Sequence, residues 1–319
     1  MPDSKKTTKK IKKQEELIGI DHGNSQIKTV HCVFPTALKT YMVNPGVGNI
    51  LEYDNICYSL SSEDLSIQTD KTEDESFFIL TLIAIAEELL ARQKAHDLDF
   101  NRAVDVRLAV GLPPGYFNKK SRDKFNAYFL QDKHPVFTYK NVQFNINIKD
   151  VKTLFQGFSA IAAYSDKFQP PDDFFIVDIG GYTTDVLEVR DGVVQIDSMI
   201  SYNNGIKTLD ASLEKALFNA TQMTITSKDT HPVFMHQASD LAPNIQSAIL
   251  KFQEHYISNL INQIKAERPR IKNVTVYFVG GGSMICHDGI EDKISSAQFI
   301  DDISANAKGY EVEYRDLYL

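Results

Sequence analysis

The sequence predicts a mixed α/β protein of two related lobes with a cleft between them. Three observations carry that expectation. A short apolar strand that runs into Asp-x-Gly, a small polar tip and a returning strand occurs twice, at a constant offset of 157 residues. Pro170-Pro171 breaks the chain near its middle, between the two copies. A further buried strand, 274–279, opens into Gly280-Gly281-Gly282. A chain of 319 residues, 43% hydrophobic and 24% charged, is long enough for two ordinary globular units, each with its own core.

The division that follows is a flexible basic tail over 1–16, a first lobe over 17–169 and a second over 170–319. In the first lobe, 16–32 reads as strand, tight turn and strand, with the return over 27–33. Residues 35–72 read as short strands and loops, with turn signals at Asn44-Pro45-Gly46. The apolar run from Phe77 to Ala86 passes directly into Glu87-Glu88 and predicts a buried helix over 75–95. A buried strand is expected over 104–110, a helix over 119–129, alternating strands over 136–148 and a helix over 150–166. The second lobe is expected to hold a strand–turn–strand from Phe174, a strand over 193–201, helices over 204–220 and 244–266, and the strand before the glycines.

Composition removes several function classes. Cys32, Cys57 and Cys286 are scattered and form no CxxC, which argues against a disulfide framework or a zinc site and suits a reducing cytoplasm. No segment has the length and apolarity of a membrane span. Net charge is −8, and residues 1–13 hold six lysines against Asp3, so the body is more acidic still. Direct nucleic-acid binding by the body is not expected. The tail lacks an apolar stretch for secretion and reads as a solvated segment or a weak electrostatic contact.

The two Asp-x-Gly turns carry the chemistry. They are Asp21-His22-Gly23-Asn24-Ser25-Gln26-Ile27-Lys28 and Asp178-Ile179-Gly180-Gly181-Tyr182-Thr183-Thr184-Asp185. A small tip lets backbone N–H groups point at an anion, and Ser25, Thr183 and Thr184 add hydroxyl donors. An Asp at each strand end sits oddly beside phosphates unless a cation lies between. Asp21 and Asp178 would suit a magnesium ion that keeps most of its waters. Lys28 adds a point charge for phosphate. The triple glycine allows close approach to a flat ring or ribose. Neither GxGxxG nor GxxxxGK[ST] occurs, which disfavours dinucleotide-fold and P-loop readings.

In this order the three elements resemble those of the actin, sugar kinase and heat-shock chaperone superfamily. Asp21 to Lys28 is similar to its first phosphate loop, Asp178 to Asp185 to its second, and Gly280 to Ser283 to its adenosine loop. Its connecting helices would start near Gln156 and Gly205. Within it, the chain is most similar to the ParM/StbA plasmid-segregation actins, through Val110-Gly111-Leu112-Pro113-Pro114 and Ala305-Asn306-Ala307-Lys308-Gly309-Tyr310.

The resemblance implies an actin-like fold, with ATP or GTP and magnesium between the lobes. Gln156 would orient the attacking water rather than act as a base, since an amide does not take up a proton near neutrality. Asp178, the second catalytic candidate, and Asp21 would hold magnesium through water. Gly23, Asn24, Ser25, Gln26 and Lys28 would bind phosphates from the first lobe. Gly180, Gly181, Tyr182 and Thr183 would bind from the second, with the amides of Gly180 and Gly181 cradling the terminal phosphate. Gly205, Gly280, Gly281, Gly282 and Ser283 would complete the nucleotide site. Asp185 is expected to be structural and His22 to face solvent beside the phosphates. The implied activity is ATP-dependent assembly into filaments that hydrolysis then destabilises. The implied partners are further copies of the chain and a DNA-binding adaptor of a partition locus, in the cytoplasm and without a membrane. The alternatives are a small-molecule kinase, disfavoured because no poised carboxylate base is identified, and a cytoskeletal scaffold actin. A chaperone ATPase would need an appended peptide-binding domain.

Overall fold

The computed structural model describes residues 13–61 and 70–319. Most of the expected basic tail therefore lies outside the described residues. Its last four positions do not behave as a tail: Lys13 pairs with Asp105 at 2.7 Å, Asp105 N–H donates to the Gln14 carbonyl, and the first strand already starts at Glu15.

The first lobe runs β1 (Glu15–His22), β2 (Gln26–Lys28), β3 (Val33–Pro35), β4 (Leu38–Tyr41), β5 (Ile50–Tyr53), β6 (Ile56–Leu60), α1 (Ser76–His96), β7 (Val104–Leu112), α2 (Lys119–Phe129), β8 (Val136–Tyr139), β9 (Val142–Phe155), α3 (Phe158–Ala162) and α4 (Ser165–Phe168). The second runs β10 (Phe174–Ile179), β11 (Thr184–Arg190), β12 (Val193–Tyr202), α5 (Ile206–Thr221), α6 (Ser227–Phe234), α7 (Pro243–Glu267), β13 (Thr275–Val279), α8 (Gly281–Glu291), β14 (Ala297–Phe299) and α9 (Ala305–Tyr318).

The duplication is visible in topology. The first sheet contains the run β3-β2-β1-β7-β9, and the second sheet is β12-β11-β10-β13-β14. In both, an antiparallel meander of three strands is followed by two strands parallel to its first. The first sheet then continues through β8, β5, β6 and β4, an extension without a counterpart in the second. Two-residue hairpins at Asp54-Asn55, Lys140-Asn141 and Asp191-Gly192 place both turn residues at positive φ, the geometry that matches strand twist.

Local chemistry explains most boundaries. Helix α1 is buried without a break from Phe77 to Ala86, as its apolar run requires, and ends at Asp97 in the left-handed region. Helix α2 starts where the Asn118 side chain accepts from Ser121 N–H at 2.9 Å. Helix α6 carries a reciprocal Thr226–Asp229 capping box, and α7 opens on Pro243.

Three expectations are corrected. The return over 27–33 is two short strands, because Thr29 N–H and the Cys32 carbonyl close a tight turn between them at 2.8 Å. The helix expected over 150–166 starts late and is broken: β9 pairs in parallel with β7 as far as Phe155, helix occupies 158–162, and a separate short helix, α4, begins at Ser165. Val151, Leu154 and Phe155 stand at the i, i+3, i+4 spacing of a helix face, but pairing with β7 makes this stretch a strand. Finally, α9 does not stay with the second lobe. It lies against β1, β7 and α3, with Tyr310 and Tyr314 packed on Leu17, Ala109 and Leu154. Its Glu311 accepts from Gly19 N–H at 3.1 Å and pairs with buried Arg92, which also bonds Glu88 and Glu16. The last helix thus ties the end of the chain to the first strand.

Candidate functional site

The register of the two meanders sets the site. Asp21 stands next to the last residue of β1, opposite Lys28, and Asp178 stands in β10 opposite Asp185. The two turns face each other across one cavity of about 380 Å³. Their tips touch: a Cβ on Gly181 would fall 2.7 Å from the Cβ of Ser25.

In the first turn, Lys28 Nζ lies 3.2 Å from Asp21 Oδ2, and both are largely shielded from solvent. Thr36 fixes the tip through its hydroxyl to the Gly23 carbonyl at 2.6 Å and its N–H to the Ser25 carbonyl at 3.0 Å. His22 is not a solvent-facing neighbour of this loop. It is buried, stacked on Phe129 at 4.8 Å, with Nε2 2.8 Å from Thr81 Oγ1. The Thr81 hydroxyl already donates to the Phe77 carbonyl, so it accepts from His22 Nε2–H. Burial holds the ring's pKa well below its ordinary value, and His22 is a neutral core residue. The alternation of β1 sends its side chain to the α1–α2 side of the sheet.

In the second turn, the same position as Lys28 holds a second carboxylate. Burial, then the charges of Asp185 and Asp21, push the Asp178 carboxyl up to about 6. Asp185 is raised too, mainly by burial. Neutral amides bracket Asp178: Gln156 Nε2 at 3.4 Å and Asn306 Nδ2 at 3.5 Å. Asn306 also accepts from Gly157 N–H at 2.8 Å, so α9 pins the bend that presents Gln156. A smaller space of about 10 Å³ adjoins Gln156, Asp178 and Asp185, enough for one water. Asp185, expected to be structural, lines the main cleft as well.

The expected donors of this turn divide. Gly180 N–H is used within the turn, on the Thr183 carbonyl at 2.9 Å, so it does not point into the cleft. The Thr184 hydroxyl donates to the Asn204 carbonyl at 2.9 Å instead. The Thr183 hydroxyl stays in the cleft and donates to Asp185 at 3.2 Å.

The glycines close the far wall. Gly280 has φ of +86°, and a Cβ there would fall 2.4 Å from Asp178 Oδ1, so both its conformation and its contact require glycine. The N-terminus of α8, with Gly281 and Gly282, opens on the cavity with its positive dipole end. Ser283 does not reach it: it is fully buried, and its hydroxyl donates back to the Gly280 carbonyl at 2.7 Å. Gly205 also stands behind the wall, where a Cβ would fall 2.5 Å from the Gly181 carbonyl; it lets α5 start directly under the second turn.

The cavity thus gathers Asp21, Gly23, Asn24, Ser25, Gln26, Lys28, Gln156, Asp178, Gly180 to Thr183 and Gly280 to Gly282, with Gly205 and Ser283 supporting from behind. Sequence reading missed Lys71, Lys207, Asp210, His231 and Asn306, which also line it. Lys207 and Asp210 stand three apart on α5, the spacing of one helix face, and that signal was available. Asp210 bonds His231 Nε2 at 2.9 Å, a pairing across 21 residues that no local pattern announces. Among the described residues no three His, Cys, Asp or Glu side chains gather as direct metal ligands.

Comparison with known proteins agrees with this architecture. Residues 19–158 match the family model for the N-terminal domain of actin-like proteins, and 176–292 match that for the C-terminal part of archaeal MreB-like actin homologues. No curated protein sequence matches the chain. Among solved structures, the archaeal actin homologue Ta0583 in complex with ADP superposes with a TM-score of 0.71 at 18% identity, over 94% of this chain and 99% of that one. The apo psk41 ParM protein gives 0.70 at 17%, over 95% and 98%. The Alp12 filament structure gives 0.70 at 16%, over 96% and 100%. These likenesses establish the actin-like fold, and the two family models, both of actin-like proteins, together span most of the chain: it belongs to the actin-like proteins.

Proposed function

We propose that this chain binds ATP, or GTP, with magnesium in the inter-lobe cleft, hydrolyses it, and assembles into nucleotide-dependent filaments. The observation that carries this is the facing pair of Asp-x-Gly turns in matching register, one with its lysine and one with a second carboxylate, closed by a glycine-lined helix start. A triphosphate fits the first turn, Lys28 and the α8 N-terminus as anion partners. Asp178 and Asp185 have no lysine of their own in the second turn, and a magnesium ion held largely through its waters and the phosphates suits them, with Asp21, better than a direct protein cage would. Magnesium would supply neutralisation of phosphate charge. Gln156 would orient a water, and the buried carboxylate of Asp178 would fix the hydration around the terminal phosphate. That Ta0583 was solved with ADP, and Alp12 as a filament, supports both halves of the reading.

Self-association also has a surface to use. The loop between β4 and β5 exposes Met42 and Val43 at 81% and 79% of their surface. The ParM likeness supports a role in moving plasmid DNA in the cytoplasm through a DNA-binding adaptor, since the net charge of −8 does not suit direct DNA contact by the body. No helix among the described residues is long and apolar enough to cross a membrane. Light scattering with ATP, ADP and a non-hydrolysable ATP analogue, followed by electron microscopy, tests assembly. A strictly monomeric, ATP-binding protein that phosphorylates a small molecule would favour the kinase reading instead.

A further inference from the structure

Lys71 belongs to neither Asp-x-Gly turn, and the repeat gives it no counterpart. It nevertheless lines the cleft. Its Nζ donates to the backbone carbonyl of His22, inside the first turn. The same Nζ lies over the Phe77 ring, 5.5 Å from its centroid. The turn that presents it is anchored. Asp70 Oδ1 accepts from the N–H and the hydroxyl of Thr72, at 3.0 and 2.6 Å, and Asp70 Oδ2 pairs with Lys124 of α2 at 2.5 Å. Lys71 is therefore held at the cleft before any ligand arrives.

Its electrostatic surroundings give its place along that cleft. The charges that act on it are Asp21 and Lys28 from the first turn and Asp185 from the second. The ammonium thus stands where the two turns converge, while Gly281 and Gly282 line the far wall. The bond to His22 uses one of its three donors, so two can serve a ligand. Burial and the neighbouring Lys28 bring its pKa down to about 8, as expected of a cation waiting for an anion in a shielded site.

We infer that Lys71 is a binding residue for the terminal phosphate of the nucleotide, a third cationic element supplied from outside the duplicated turns. The inference rests on the nucleotide reading above and deepens it. A nucleoside triphosphate extends into the convergence of the turns, and a diphosphate stops short of it. Lys71 would therefore favour the triphosphate and make the first lobe sense which nucleotide is bound.

The test measures the affinities of ATP, ADP and a non-hydrolysable ATP analogue, by displacement of a fluorescent nucleotide, for the parent, Lys71→Met and Lys71→Arg. Thermal melts verify that each variant is folded. In Lys71→Met, affinity for ATP and its analogue should fall about ten- to a hundredfold, the range for loss of a charge-assisted hydrogen bond, with ADP affinity changed less than about threefold. Lys71→Arg, which keeps the charge, should recover most of the preference. Equal losses for ATP and ADP, or no loss for either, would overturn the assignment to the terminal phosphate while leaving nucleotide binding intact. Absence of nucleotide binding by the parent would instead remove the parent reading and this inference together.

Discussion

The two Asp-x-Gly turns share a backbone plan and differ in charge. In the first, the cross-strand partner of Asp21 is Lys28, at 3.2 Å, and the pair is close to neutral. In the second, the partner of Asp178 is Asp185, and the cost of two buried like charges appears as a carboxyl pushed up to about 6. One duplicated frame therefore supplies a half that is balanced in advance and a half that needs an added cation or proton. The first turn suits holding a phosphate, because Lys28 can turn from Asp21 to the ligand at little desolvation cost. The second suits holding a hydrated metal and a reacting water, because the donors on its two buried carboxylates, Gln156 and Asn306 on Asp178 and Thr183 on Asp185, are neutral.

If that division of labour holds, hydrolysis belongs to the second turn, and Gln156 should show it most strongly. Gln156 reaches Asp178 and not Asp21. Gln156→Ala leaves both turns in place, so nucleotide binding should survive. Phosphate release should fall by about 10- to 1,000-fold, because lost orientation of a reactant costs that much. Phosphate release and light scattering followed in one sample would show filaments that persist longer. An unchanged rate would take Gln156 out of the mechanism.

The cost of burying the Asp178 carboxyl, beside Asp185 and Asp21, should also be visible without ligand. The carboxyl of Asp178 rises from 3.8 to about 6 in the folded protein, so the folded state binds the extra proton between about pH 4 and 6. As pH climbs through that window the parent loses stability at this site, by about 3 kcal/mol in all. Asp178→Asn removes the charge. The variant should match the parent near pH 4 and become more stable than it by pH 8, measured by denaturant unfolding without nucleotide. A variant less stable at pH 8 would show that Asp178 is held by its surroundings and not strained by them.

The smaller effect belongs to the balanced turn. Lys28→Ala should weaken ATP and ADP alike, by about ten- to a hundredfold in affinity, with the hydrolysis rate at saturating ATP little changed. A large loss of rate at saturation would move chemistry into the first turn and erase the distinction drawn between the halves.

Much of this was legible in the sequence because the turns are local. Asp-x-Gly with small tips fixes strand end, bend and return within eight residues, and the constant offset makes two weak motifs one stronger one. The glycines after the strand over 275–279 were legible for the same reason. What stayed hidden depends on long-range partners. The run at 151–155 is strand only because β7 offers an edge. His22 sits beside Asp21 in the chain, yet strand alternation sends it into the core, where an aromatic cluster awaits it. Asn306, Lys71 and His231 reach the cleft from segments remote from both turns, and no spacing rule ties them to it. The crossing of α9 back to β1, through Glu311 and Arg92, likewise has no local signature.

The claim that the second turn is the half built for a cation is tested most directly by the magnesium dependence of ATP binding. Calorimetric titration of ATP, with and without magnesium, would be carried out on the parent, Lys28→Ala and Asp178→Asn. The account predicts that magnesium tightens ATP binding to the parent and to Lys28→Ala by a similar factor, and that Asp178→Asn loses most of that factor. An Asp178→Asn protein that keeps the full magnesium effect, or a Lys28→Ala protein that loses it, would contradict the account.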